Sequence, residues 1–426
     1  MRNEHEQRRA MVAEMHLRRW PAIAAPACIL QFVRLVADDD RDGECRLVRA
    51  AAGCAGEAQA ATARHLDGTI SPGLRFTWER HSEASTLTLF LEPADGAPGQ
   101  LAMALDLADR LPGKVIRATR LVLVTDAAQA ERALPGLGFS ADDLVSCEIA
   151  ADQGTDEPRP RIWSDFRLRD DGFGVVLVAS NGMAPAALSR TLQRLQELGN
   201  YRNLALLGLP VAREGWRELD RIETRLNAIN ADLTRPEMTD DDLLQQVSDL
   251  WTELIAQISA SNYRISATEA YAAIVEERLA DLHIQSCGGH MSLADFTQRR
   301  FLPAVRTCTA HRRRSQYLAQ RASQVVALLR TRIETRIENQ NGRLLASMEE
   351  SASRQLRLQQ LVEGLSVVAV SYYALGLAGK MLDGIVTLAP ALNSHVMSAL
   401  ATPLVIGATW AAIRRQKRRI LGPGPH

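Results

Sequence analysis

Through the first 180 residues the apolar positions come in short runs with a period of two. "CILQFVRLV" (Cys28–Val36), "LRFTWERHSEASTLTLFLE" (Leu74–Glu92) and "VIRATRLVLVT" (Val115–Thr125) are rich in β-branched and aromatic residues and bounded by Gly, Pro and Asp, which predicts strands. "LVSCEIA" (Leu144–Ala150), "IWSDFRLR" (Ile162–Arg169) and "GVVLVA" (Gly174–Ala179) predict a second cluster of strands, with the Pro-rich "DEPRPR" (Asp156–Arg161) as a loop inside it. From about Pro185 the period becomes helical: Leu188, Leu192, Leu195 and Leu198 lie on one stripe. Gly208 and Pro210 predict a bend before the next stripe, which carries Trp216, Leu219, Ile222, Leu226, Ile229 and Leu233. Thr239 is placed to cap a helix with Leu243, Val247, Leu250, Leu254 and Ile258 on its apolar side. "SATE" (Ser266–Glu269) reads as a capping box that opens another helix, and Ser292 with Asp295 opens one more.

The last stripe is long. Leu318, Ala322, Val325, Leu329, Ile333 and Ile337 lead into Leu345, Met348, Ala352, Leu356 and Val362. The polar gap "ENQNG" (Glu338–Gly342), with Asn339 and Asn341, predicts a kink or a polar layer in a bundle. One helix from Arg321 to Glu363 would be roughly 60 Å long at about 1.5 Å per residue, a stalk by its proportions.

Beyond Glu363 the pattern loses its polar face. No Asp, Glu, Lys or Arg lies between Glu363 and Lys380, and none lies between Asp383 and Arg414. A helix spanning a bilayer needs roughly 20 apolar residues. Gly364–Leu382 reaches that length if Lys380 snorkels to the interface, and Val396–Ile413 comes near it, with Pro403 tolerated and Trp410 at an interfacial position. "RRQKRR" follows at once, and Arg414, Arg415, Lys417, Arg418 and Arg419 mark a cytoplasmic flank. The expectation is a hairpin of two transmembrane helices with both termini cytoplasmic; the competing reading is a buried helical hairpin of a soluble protein. Ser366, Ser371 and Tyr372 are candidate pore-lining or helix-contact residues. Gly376 and Gly379, with Gly364, suit close helix packing.

Composition narrows the remaining classes. The chain has 426 residues, more than one compact domain usually needs, and 50 Lys plus Arg balance 50 Asp plus Glu. A net charge of zero gives no global pull toward nucleic acid. Nearly every cation is Arg; the lysines are Lys114, Lys380 and Lys417. The six cysteines form no C-x-x-C pair, which suits a reducing compartment rather than a disulfide framework. "MRNEHEQRRAMVAEMHLRRW" carries acids and lacks the apolar core of a secretory signal, so most of the chain is expected in the cytosol.

Candidate chemistry is sparse. In "WERHSE", strand alternation would put Glu79, His81 and Glu83 on one face, where two carboxylates and an imidazole could hold a divalent cation. A solvated strand face explains the same three residues more simply. "CGGH" offers Cys287 and His290, too few ligands for zinc and a natural Gly-Gly turn. Asp240–Asp242 complements a helix N-terminus. No P-loop, H-E-x-x-H, G-x-S-x-G or G-x-G-x-x-G is present, so no catalytic residue and no cofactor class is indicated, and a non-enzymatic role is expected.

Several stretches together resemble a known family: "EMHLRRWPAIAAP", "FTWERHSEASTLTLF", "RTLQRLQELGNYRNLALLGLPVAR", "YRISATEAYAAIVEERL" and "LRLQQLVEGLSVVAVSYYALGL". They are similar to the bacterial, membrane-anchored domain of unknown function 3422 over nearly the whole chain. The resemblance implies a bacterial inner-membrane location and no activity. The family's N-terminal H-N-E-x-H-A-R-P pattern is only partly kept, by Glu14, His16 and Pro21. An architectural likeness to CorA-like magnesium channels also exists, although "YYALGLAGKMLDG" lacks their Gly-Met-Asn signature.

The fold class expected is therefore α+β. Residues 1–182 should form an α/β cytosolic domain, 183–362 a helical bundle and stalk, 363–413 a two-helix transmembrane hairpin and 414–426 a basic cytosolic tail. The function expected is that of a multi-pass inner-membrane scaffold or sensor, a homo-oligomer in a lipid bilayer, with a cation channel or transporter as the alternative.

Overall fold

The computed structural model describes residues 4–421 except 9–10, 13–14, 16–17, 54–63, 93–98, 151–157, 236 and 387–393. Glu14, His16, Cys54 and the start of the Asp156–Arg161 loop lie outside the described residues. Two compact units emerge, residues 1–326 and 327–426.

The first unit is built on a nine-stranded mixed sheet. The strands are β1 (Ala27–Leu35), β2 (His65–Ser71), β3 (Leu74–Arg80), β4 (Ala84–Leu91), β5 (Lys114–Val124), β6 (Val145–Glu148), β7 (Arg161–Ser164), β8 (Gly174–Ala179) and β9 (Gln285–Ser286). Their order is β2-β3-β4-β1-β5-β8-β7-β6-β9. β5 and β8 run parallel, and the other named pairings are antiparallel. The period-two pattern thus locates these strands, although the stretch Leu74–Glu92 divides into β3 and β4 and the strand expected over Ile162–Arg169 ends at Ser164. The half-buried, polar β2 and the two-residue β9 carry too little alternation to be read from sequence.

Alternation sends successive side chains to opposite faces. One face packs on α1 (Arg41–Ala51) and α2 (Gln100–Arg110): Leu30, Phe76, Trp78, Leu87 and Leu89 meet Val48 and Leu107 there. α3 (Ala127–Ala133) covers Trp163 and Leu177. The other face packs on α4 (Pro185–Leu206), where Ile29, Leu121, Leu123, Val176 and Val178 meet Leu188, Leu192, Leu195 and Leu198. Full burial of each such side chain contributes about 1.5–3 kcal/mol.

α4 shares the core of the sheet, so residue 182 is not a boundary between compact units. Leu207 separates it from α5 (Gly208–Asp232), with Pro210 in the first helical turn, where its missing N–H costs nothing. α6 (Asp240–Asp281) begins at the expected cap, the Thr239 side chain accepting from the Asp242 amide. It does not stop at "SATE". Ser261, Ile265 and Thr268 continue its buried stripe, and tertiary packing overrides the local cap signal. Ser292 and Asp295 do form a capping box, for the short helix Leu293–Phe296.

α7 (Leu302–Val386) begins in the first unit, where Cys308, His311, Leu318 and Ala322 are buried. His311 needs a glycine opposite, because a Cβ on Gly215 of α5 would overlap its Nε2. Arg314 of α7 pairs with Asp220 at 2.6 Å, and Arg312 with Glu269 at 2.6 Å.

The second unit holds the rest of α7 and α8 (Ser394–Leu421). α7 is unbroken through Glu338–Gly342. Among the described residues one helical run, Leu293–Met381, includes a stretch long and apolar enough to cross a membrane, and only 6 % of that stretch is buried.

Candidate functional site

The most chemically loaded place in the first unit is a polar seam between the sheet and α4. Gln31 of β1, Thr86 and Thr88 of β4, Glu79 of β3 and Arg117 of β5 all occupy the α4-facing positions of their strands. α4 answers with Gln193, Gln196, Glu197, Asn200 and Tyr201, one helical stripe. A cavity of about 40 Å³ remains between them, closed at one side by Trp20. That volume admits ordered water and no metabolite.

Hydrogen bonds fix the inner end. Arg117 Nη1 lies 3.1 Å from Gln31 Oε1, 2.6 Å from Gln196 Oε1 and 2.7 Å from Asn200 Oδ1. Gln31 Nε2 donates to Thr88 Oγ1 at 3.0 Å. Gly199 makes this possible, since a Cβ there would sit 2.5 Å from Arg117 Nη2.

The outer end is acidic. Glu197 accepts from Arg278 Nε at 2.8 Å. Glu79 stands opposite His65 in the β2–β3 register, with 3.7 Å between Oε1 and Nδ1. That gap is too long for a hydrogen bond, and both atoms are buried without a partner. Burial, reinforced by the charge of Glu197, pushes the Glu79 carboxyl up from 4.5 to about 7. Burial holds the His65 imidazole below its usual range. Both groups are therefore driven toward neutrality, and the pair is not an ion pair at neutral pH. Burial thus brings the proton exchange of the Glu79 carboxyl toward neutral pH.

The structure brings Glu79 and His81 to the same cavity but takes Glu83 away from it. β3 ends at Arg80, and residues 81–83 turn the chain into β4, so the alternation that would align the three residues stops short. His81 Nε2 lies 3.3 Å from Thr86 Oγ1, and its ring meets Tyr201 edge-on at 6.3 Å. Glu83 instead binds Arg264 at 2.8 Å and accepts from the Tyr271 hydroxyl at 3.0 Å. Among the described residues no group of three or more His, Cys, Asp or Glu could hold a metal ion. Cys287 and His290 close a turn, with the His290 amide donating to the Cys287 carbonyl. Asp240, Asp241 and Asp242 form the first turn of α6. The thiols of Cys28, Cys147 and Cys308 are pushed up to about 11 by burial and stay protonated.

In the second unit Ser366 Oγ donates to the Val362 carbonyl of its own helix. Ser371 is buried and its hydroxyl is unpartnered, whereas Tyr372 is exposed. Among the described residues a Cβ at Gly364, Gly376 or Gly379 would meet nothing within 4 Å. Arg414 stacks over Trp410 at 4.8 Å, and Arg415 is exposed. The side chains of Lys417, Arg418 and Arg419 lie outside the described residues.

Sequence reasoning missed Arg117, Glu197 and His65. The signals were there: Arg117 shares strand parity with the apolar Leu121 and Leu123, and Glu197 lies one residue before the buried Leu198 on the α4 stripe.

No curated protein and no solved structure matches the chain. The likeness to CorA-like channels therefore has no structure behind it. The family model described as protein of unknown function (DUF3422) matches residues 3–420, and the chain belongs to that family.

Proposed function

We propose that the chain is a non-enzymatic, membrane-anchored protein that holds its first unit at the cytoplasmic face of a bacterial inner membrane as a scaffold or sensor. The observation that carries this reading is the surface of α7. Leu345, Leu361, Leu365, Val368, Leu377 and Met381 are each more than 60 % exposed, on a helix with no charged residue from 364 to 379. An apolar surface of that extent has no place in water. Lipid would cover it, and α8, with Pro403 and its basic end, would return the chain to the side it came from. Gly364, Gly376 and Gly379, open among the described residues, leave room for a second copy, so the reading includes a homo-oligomer.

The test is an alkaline carbonate wash of membranes carrying either the full chain or a chain ending at Glu363. The full chain stays in the pellet and the shortened one is released. Release of both sinks the anchor. A ring-sized oligomer that conducts cations in liposomes would replace the scaffold reading with a channel.

A further inference from the structure

Beside the seam lies a second, larger and half-open cavity of about 330 Å³. Its walls include Ile116, Phe166, Leu168 and Val176, and two arginines, Arg117 and Arg202. The Arg202 guanidinium lies 4.6 Å from the centroid of the Phe166 ring and 5.5 Å from that of Phe296, and those two rings stack at 4.3 Å. Phe166 adopts φ 52°, a left-handed backbone that an aromatic residue takes only when its surroundings require it. The aromatic face is thus held in place beneath the cation.

What the arginines lack is a counter-charge. Arg202 is only half-buried as a residue, yet its Nη1 has no solvent access and no hydrogen-bond partner. The partners of Arg117 are neutral amide oxygens, all on Nη1. Among the described residues neither arginine has a carboxylate within ion-pair distance. The charge that acts on Arg117 is that of Arg202, and burial with this repulsion lowers Arg117 to about 9, while burial alone lowers Arg202 to about 10. Two like charges side by side and partly withdrawn from water are stabilised by an opposite one. The polar neighbours do not compete, since Asn203 donates to the Ile116 carbonyl and Ser164 to the Val175 carbonyl.

We infer that this cavity binds a small organic anion, a carboxylate or phosphate ester with an apolar body, whose charged group meets Arg202 in front of Arg117 and whose body lies against Phe166 and Val176. A guanidinium on an aromatic platform suits a flat, bidentate oxyanion. Both arginines lie in the first unit, so the inference does not depend on the membrane reading.

Isothermal titration of the full chain in a nonionic detergent tests it, with phenyl phosphate and benzoate as anions and phenol as the neutral counterpart. At least one anion binds, phenol does not, and Arg202→Met weakens binding at least tenfold. A second variant, Gly174→Val, keeps both arginines and adds bulk at the cavity wall, where a Cβ would have no neighbour closer than 3.8 Å. It too weakens binding at least tenfold, and it serves should Arg202→Met fail to fold. Absence of heat from both anions, equal binding of phenol, or a Gly174→Val chain that binds as the parent does would each overturn the proposal. Binding of inorganic phosphate with exclusion of both aromatic anions would overturn the part concerning an apolar body.

Discussion

On the α1/α2 face of the sheet, Arg34 and Glu44 lie buried close enough to act on each other electrostatically. Arg34 donates to the carbonyls of Ala108 and Leu111 at the C-terminal end of α2, where a cation is favoured. Glu44 Oε1 accepts from Trp78 Nε1 at 3.1 Å and from the Ser85 hydroxyl. On the α4 face half-buried charges of like sign stand side by side, Glu79 near Glu197 and Arg117 near Arg202, although Glu197 also pairs with Arg278. The same strands supply both faces. The first arrangement ties each charge down by hydrogen bonds, Arg34 to helix-end carbonyls and Glu44 to Trp78 and Ser85, and serves the fold. The second leaves a proton site near neutrality and a cationic pair awaiting an anion, which is what a face kept for binding requires.

The comparison breaks most violently from the α1/α2 side. Trp78→Ala empties a fully buried site and removes a donor from Glu44. The loss should be about 5 kcal/mol, read as a fall in the denaturation midpoint. Arg34→Met should cost about 3 kcal/mol, because it strips two helix-end carbonyls of a charged donor and removes the cation on which Asp109 and Glu44 act. If the Arg34 variant is neutral, the α1/α2 face is not held by its charges and the contrast fails.

Glu79→Gln sharpens the other side, and with the opposite sign. An acid raised in the folded state from 4.5 to about 7 binds its proton more tightly there than in the unfolded chain. Its effect on stability is favourable below about pH 4.5, declines between about 4.5 and 7, and is a full penalty above 7. The amide lacks that penalty. The variant should be more stable than the parent above pH 7, by on the order of 2 kcal/mol, and the two should converge toward pH 5. His65 shifts in the other direction, so the difference between the two chains, not either profile alone, is the quantity to follow. Parallel profiles would mean that Glu79 is charged in the fold and that the seam does not titrate near neutrality.

How far this contrast was legible depends on what carries each part. Period two and period 3.6 located the larger strands and α4 because burial on one side writes itself into spacing. They also put Glu79 on one face of a strand, together with His81 and Glu83. They failed at Glu83, since nothing in "RHSE" marks where a strand gives way to a turn, and at Ser266, where a local cap signal lies inside a 42-residue helix. Arg202 was hidden differently. It sits four residues after Leu198 and three before Ala205, both buried, so the stripe alone would place it inward. Whether a partner acid awaits it there is a fact of tertiary structure, because that acid could come from any strand.

The smallest effect is the most discriminating. Arg202→Met deletes the charge and the guanidinium that lies over Phe166 and Phe296 while keeping an unbranched, apolar stem. Losing the cation–π interaction costs about 1 kcal/mol, and relieving an unmatched buried cation returns a similar amount. In anion-free buffer the net change should therefore lie within about 1 kcal/mol of zero, a third or less of the cost of the same substitution at Arg34. With phenyl phosphate or benzoate present the parent should gain stability and the variant should not, since only a ligand bound to the folded chain shifts the balance. A loss near 3 kcal/mol without ligand would show that Arg202 is as structural as Arg34. The two faces of the sheet would then differ in sequence but not in kind.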